Sequence, residues 1–104
     1  MTRSDRIALA LSREIVDRLE TEPVFVVQRG LANVDKARSK SRGTARMAVD
    51  RWNEMLMRSD IAAIRDTLLG DSDDAREMRN SAVFSGVIPE PRRMQIVRGV
   101  LNAA

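Results

Sequence analysis

Thr44-Ala45-Arg46-Met47-Ala48-Val49-Asp50-Arg51-Trp52-Asn53-Glu54-Met55-Leu56 is the stretch that decides the fold. Ala45, Ala48, Val49, Trp52, Met55 and Leu56 recur at three and four residues, so on a helix they form one apolar stripe. Arg46, Asp50, Arg51 and Glu54 fall outside it, and Thr44 is suited to cap the helix start. Trp52 is the only tryptophan and is the expected centre of the core.

The same period extends in both directions. Towards the N-terminus, Ser4 is a cap candidate and Ala8, Leu11, Ile15, Val16 and Leu19 make a stripe, which predicts a helix over about 5–20. Thr21-Glu22-Pro23 ends it, because the ring of Pro23 disfavours helical geometry at Glu22, while Pro23 itself suits the first turn of a second helix. In that helix Val24, Val27, Leu31 and Val34 are spaced three, four, three, a narrow seam for one partner helix, with Phe25 on a second facing. Gly30 interrupts it and reads either as a close approach of two helices or as a weak point costing about 1 kcal/mol against Ala. Val24-Phe25-Val26-Val27 is the only run with an alternative reading as a strand, should Pro23 start a turn. Towards the C-terminus, Ser59 with Asp60 opens a helix carrying Ile61, Ile64, Leu68 and Leu69, which Gly70 ends. Asp71-Ser72-Asp73-Asp74 opens a short fifth helix, and Pro91 to Leu101 forms a last one with Met94, Val97, Val100 and Leu101.

The expected fold is therefore all-α: a small bundle of five to six short amphipathic helices in a single domain, residues 1–104. Its core is expected from Leu11, Ile15, Leu19, Val27, Leu31, Val49, Trp52, Leu56, Ile64, Leu68 and Val97. With Phe25, Trp52 and Phe84 the only aromatic residues, this core is thin, and the six methionines read as gap fillers or as an adaptable partner surface. Residues 37–44, rich in Ser and Gly with no apolar period, are expected to be a mobile loop.

Composition narrows the chemistry. The chain has neither cysteine nor histidine, so thiol nucleophiles, disulfides, thiolate or imidazole metal sites and the usual catalytic triads are all excluded. An enzyme would have to work through carboxylates, Lys or Ser, and the expectation is a protein without catalytic residues, metal or cofactor. Asp71, Asp73 and Asp74 lack the spacing, the central Gly and the distant Glu of a calcium loop and read as a helix cap. Ser41-Arg42-Gly43-Thr44 has one Gly and no following Gly-Lys, so it is no phosphate loop. The N-terminal apolar run is broken by Arg13, Glu14, Asp17 and Arg18 and is neither a signal peptide nor a membrane span, so a cytoplasmic protein is expected.

Two stretches carry functional promise. Lys36, Arg38, Lys40, Arg42 and Arg46 concentrate the positive charge and suit a nucleic-acid backbone or an acidic protein, although no stacking aromatic lies among them. A helix-turn-helix placed on the third and fourth helices would begin its recognition helix Asp60-Ile61-Ala62-Ala63, which offers a carboxylate where DNA wants donors. The other stretch is Ser81 to Ile88, where Val83, Phe84, Val87 and Ile88 must be buried, either on the chain's own helices or on a partner.

The order Trp52-x-x-Met55-Leu56, Leu68-Leu69, Met78-Arg79-Asn80-Ser81-x-x-Phe84-x-Gly86-Val87-Ile88 and Arg93 resembles that of a group of small helical actinobacterial proteins regarded as antitoxins of toxin–antitoxin pairs. The likeness covers about half the chain, Trp52 to Val97, and departs at Asn80 for Gln, Val83 for Pro and Met94 for a Trp-like residue. It implies a class: a protein that binds and silences a cognate toxin enzyme and can repress their shared promoter DNA. The chemistry of the residues then adds an expectation of its own, with Phe84, Val87 and Ile88 as apolar anchors and Arg79 and Arg93 as charge-assisted contacts to the toxin, against the alternative that Phe84 shares the core with Trp52; a homodimer is a further expected partner. The competing expectation is a small dimeric nucleic-acid-binding regulator acting through Lys36, Arg38, Lys40, Arg42 and Arg46.

Overall fold

In the computed structural model, which describes residues 1–103, the chain folds into six helices: α1 (Arg3–Thr21), α2 (Pro23–Lys40), α3 (Thr44–Met57), α4 (Ile61–Leu69), α5 (Asp73–Asn80) and α6 (Glu90–Asn102). α1 packs against α2, α4, α5 and α6, whereas α3 packs against α2, α4 and α5. Trp52, on the inner face of α3, is fully buried, with its indole N–H donating to the Met78 carbonyl of α5 at 2.8 Å. Leu19, Val26, Val49, Leu56, Ile64, Leu68 and Met78 close around it. An aromatic core this small depends on the indole being both enclosed and hydrogen-bonded, because an unpaired buried N–H is costly.

Helix starts follow local chemistry and differ in detail from the sequence reading. Thr2, rather than Ser4, caps α1: its side chain accepts from the Asp5 N–H at 3.1 Å and the Asp5 carboxylate accepts from the Thr2 N–H at 3.1 Å, a reciprocal capping box. Asp60 itself, not Ser59, caps α4 through the Ala63 N–H, and Ser72 caps α5 through the Ala75 N–H. Thr44 lies inside α3, whose cap position is Gly43 at φ 60°.

α2 departs most from expectation. Val24 to Val27 is helical, with Pro23 in the first turn, so the strand alternative falls away. The helix also runs on through Lys40, leaving a connection of only Ser41 to Gly43 where a loop over 37–44 was expected. Ala37 continues the buried face, Arg38 donates to Asp50 of α3 at 2.7 Å, and Ala, Arg and Lys are good helix formers; together these outweigh Ser39. The helix is also rolled relative to its predicted seam: Val26, Val27, Gly30 and Val34 face inwards, while Leu31, expected in the core, is 36% exposed. Gly30 is the cause. A Cβ there would lie 2.9 Å from Leu56 Cδ1, so a larger residue at this position requires the Leu56 side chain to shift.

α6 lies along α1 without a fully buried residue. Ile96 meets the core, and Val97, expected there, is only half-buried because α6 is covered on one side alone. Leu11 is likewise half-buried but packs against the core. Arg92 of α6 reaches Glu14 of α1 at 3.1 Å, and Arg18 reaches the other oxygen of the same carboxylate at 3.1 Å. No helix among the described residues is long and apolar enough to cross a membrane.

Candidate partner-binding cleft

Between α1, the segment Ser81–Pro89 and the start of α6 opens a cleft of about 490 Å³. Ala8, Leu11, Ser12 and Ile15, one face of α1 at three- and four-residue spacing, form its floor. Phe84, Ile88 and Pro89 form one wall, and Glu90 and Arg93 from the first turn of α6 stand at the rim. Arg79, from the end of α5, completes the lining.

The wall is irregular backbone held rigid by distant groups. Asn33 of α2 donates through Nδ2 to the carbonyls of Val83 and Ser85, both at 2.8 Å, and Arg29 donates through Nε to the Ser85 carbonyl at 3.2 Å. At the tip of the turn Gly86 has φ 85°, and a Cβ on it would stand 2.5 Å from Nη2 of Arg29. A side chain there would be opposed both by the left-handed backbone and by the guanidinium lying across it. Val83 and Val87 point down into the core, Val87 being 1% exposed, and the Phe84 ring meets Trp52 edge-on with centroids 5.2 Å apart. The turn is thus anchored by three apolar side chains below and clamped by two polar side chains from α2.

Burial and charge assign each group a task. Arg79, 6% exposed, donates from Nη1 to the carbonyls of Leu68, at 3.1 Å, and of Gly70, so it caps the end of α4. Burial pushes its pKa below the ordinary arginine value, and the carbonyl oxygens take up its donors. Arg93 makes two hydrogen bonds of 2.8 Å to Glu90 one turn away; these bonds hold the Glu90 carboxyl below its ordinary range and raise the Arg93 guanidinium. At Glu14 burial alone would raise the carboxyl, but hydrogen bonds from Arg92 and Arg18 outweigh it and leave the pKa lowered. Glu14 lies outside the cleft; the cleft itself presents an apolar floor, the Glu90–Arg93 ion pair at its rim, and the hydroxyls of Ser12 and Ser85.

Of the residues singled out from the sequence, Arg79, Phe84, Ile88 and Arg93 converge on this cleft, and Val87 does not reach it. Within that set Arg79, Phe84 and Ile88 are buried and build the walls, leaving Arg93 at the rim as the more accessible group. Arg29 and Asn33 were missed. Their signal, two polar side chains one helical turn apart on α2, is indistinguishable in sequence from an ordinary solvated face.

The basic set lies elsewhere. Lys36, Arg38 and Lys40 occupy the last turns of α2, Arg42 the connection and Arg46 the first turn of α3, all exposed. Arg38 is engaged by Asp50, whereas Lys36, Lys40, Arg42 and Arg46 have no ion pair among the described residues. The acidic run is similarly committed: Asp74 accepts two hydrogen bonds from Arg51 at 2.8 and 3.0 Å, which lower its pKa, and Asp73 accepts one from Arg76 at 3.2 Å. In comparisons with known proteins, neither a protein-family model, nor a curated protein, nor a solved structure matches this chain.

Proposed function

We propose that this chain is a binding protein of antitoxin type, which silences a toxin enzyme by holding an apolar segment of it in the cleft between α1, the Ser81–Pro89 turn and α6. The observation that carries this reading is the convergence on one cleft of four of the five residues expected at a partner contact, over a floor of Ala8, Leu11 and Ile15. An apolar anchor entering the cleft removes water from that floor, and Arg93, already poised beside Glu90, supplies a charge-assisted bond to an acidic group at the rim.

The test is co-expression with the product of the adjacent reading frame, scoring both growth and co-elution in size-exclusion chromatography. Rescue of a growth arrest with co-elution is expected, and Ala8→Glu, which fills a half-buried position on the cleft floor, is expected to abolish both. Neutralising Lys36, Lys40, Arg42 and Arg46 should leave rescue intact. A neighbour harmless by itself that elutes separately removes the antitoxin reading; rescue undiminished by Ala8→Glu moves the contact away from the cleft.

The second reading, a nucleic-acid-binding regulator, is favoured by those four unpaired cations. Residues 36–46 hold five of the 18 Lys and Arg and none of the 15 Asp and Glu. Neutralising four phosphates predicts that log K falls with log salt at a slope of about −3 to −4, lost in the quadruple variant.

A further inference from the structure

Among the described residues only two polar side chains are buried, Ser12 at 4% exposure and Arg79 at 6%, and both line the cleft. Arg79 is answered, since the Leu68 and Gly70 carbonyls take up its donors. Ser12 is not answered: its hydroxyl has no hydrogen-bond partner among the described residues, and it stands on the cleft floor with Leu11 and Ile15 beside it and Ala8 one turn back. Turning its proton to the Ala8 carbonyl, as serines inside helices can, would still leave its lone pairs without a donor. Ser85, the other hydroxyl at the cleft, is exposed and is served by water. Buried polar groups are nearly always paired, so an unpaired one that opens on a cleft is the mark of a partner supplied from outside.

The rest of the lining selects the chemistry of that partner. Arg79 is committed to carbonyls, and Glu90 and Arg93 bind each other at the rim, so no unpaired charge lines the cleft. An ammonium or carboxylate entering it would find no counter-charge on the floor, and the group that enters is therefore neutral. Floor and wall are apolar, with Phe84, Ile88 and Pro89 on one side and small residues at Ala8 and Ala82, so the body of that group is apolar as well. A carboxamide brings two donors and a carbonyl to a single hydroxyl, and a plain hydrocarbon ring strands that hydroxyl. A phenol meets both demands, because it joins an apolar ring to one hydroxyl that donates and accepts as that of Ser12 does. Building on the reading of the cleft as a partner site, we propose that the anchor it receives is a tyrosine of the partner, with the ring over Leu11 and Ile15 against Phe84 and the phenol hydroxyl on Ser12. A cleft of about 490 Å³ has room for such a ring, and tyrosine is among the residues that most often dominate an interface.

Two probes that differ only in the hydroxyl, p-cresol and toluene, test this on the chain by itself. In a titration followed by amide chemical shifts, p-cresol should move the signals of Ser12, Ala82 and Ser85, and the ratio of the toluene to the p-cresol dissociation constant should fall about threefold or more in Ser12→Ala. That variant removes a single oxygen atom and keeps a good helix former, so the fold is retained. In the complex recovered by co-expression, Ser12→Ala and one Tyr→Phe change in the partner should each weaken binding about fivefold, and the two together no further. A probe ratio unchanged by Ser12→Ala leaves the hydroxyl to water and overturns the proposal, as do shifts confined to residues outside the cleft. A complex indifferent to Ser12→Ala also overturns it, and then a probe preference marks a site for a free phenol instead. The two readings fail separately: rescue that is lost in Ala8→Glu but comes without a probe preference keeps the antitoxin reading and sinks the tyrosine, whereas a probe preference without rescue upholds the chemistry of the cleft and removes the toxin.

Discussion

Substituting Gly86 by Ala isolates the device that holds the wall of the cleft. At φ 85° an L-residue meets the left-handed penalty, about 1–2 kcal/mol. The new methyl would also stand 2.5 Å from Nη2 and 2.6 Å from Nε of Arg29, so the guanidinium must swing away and lose its bond to the Ser85 carbonyl, worth about 1 kcal/mol at this exposed position. Together the two effects predict a loss of about 2–3 kcal/mol, a large share of the stability of a domain this size. Urea unfolding followed by tryptophan fluorescence reports it, since Phe84 lies edge-on to Trp52. In an Arg29→Ala background, where the guanidinium and its bond are already gone, Gly86→Ala should cost only the backbone penalty, about 1–2 kcal/mol. Gly99→Ala is the internal contrast: no atom beyond its own helix backbone and chain neighbours lies within 4 Å of the added Cβ and α6 is helical there, so it should stabilise by about 0.5–1 kcal/mol. A Gly86→Ala protein within about 0.5 kcal/mol of the parent would refute the account of the turn.

Trp52→Phe keeps most of the apolar volume but removes one of the two donors to the Met78 carbonyl, the Ser81 N–H remaining at 3.2 Å, and should cost about 1 kcal/mol in urea unfolding. Arg79→Met leaves the Leu68 and Gly70 carbonyls without their donor and should destabilise by a similar amount, about 1–3 kcal/mol, with amide exchange rising first at the end of α4. The folded-state pKa values of Glu14, Asp74 and Glu90 are lowered, so the stability they contribute is complete above the ordinary carboxylate range and is lost as pH falls through their folded values; the midpoint temperature should therefore drop below about pH 4, less steeply in Glu14→Gln.

Amphipathic spacing made α1, α3 and α4 readable because their stripes admit one inward face, and Trp52, Leu56, Ile64 and Leu68 lie where that spacing puts them. α2 was harder. Val24, Val27, Leu31 and Val34 form one plausible seam, and Val26, Gly30 and Val34 another; the fit of Leu56 against Gly30 favours the second, and that fit belongs to the partner helix. The same limit applies at the cleft. Its apolar wall was legible because Phe84, Val87 and Ile88 are too apolar for water, but the polar clamp was not, because Asn33 and Arg29 act 50 and 56 residues away in the chain. Lys36 to Lys40 lacked an apolar period strong enough to overrule Ser39, although Ala37 carries the buried face onward.

The clamp also sets an order of events in folding. Contacts between Asn33 and Val83 enclose a loop spanning nearly half the chain, and closing it costs entropy that only the finished core offsets. Helices α1 to α4 can form and pair from neighbouring contacts while the ribosome is still adding residues, but the turn at Gly86 cannot lock until the C-terminal third has emerged. The cleft is therefore the last part of the molecule to exist: a nascent or truncated chain ending before Ser85 has helices α1 to α5 and most of its core residues but no site.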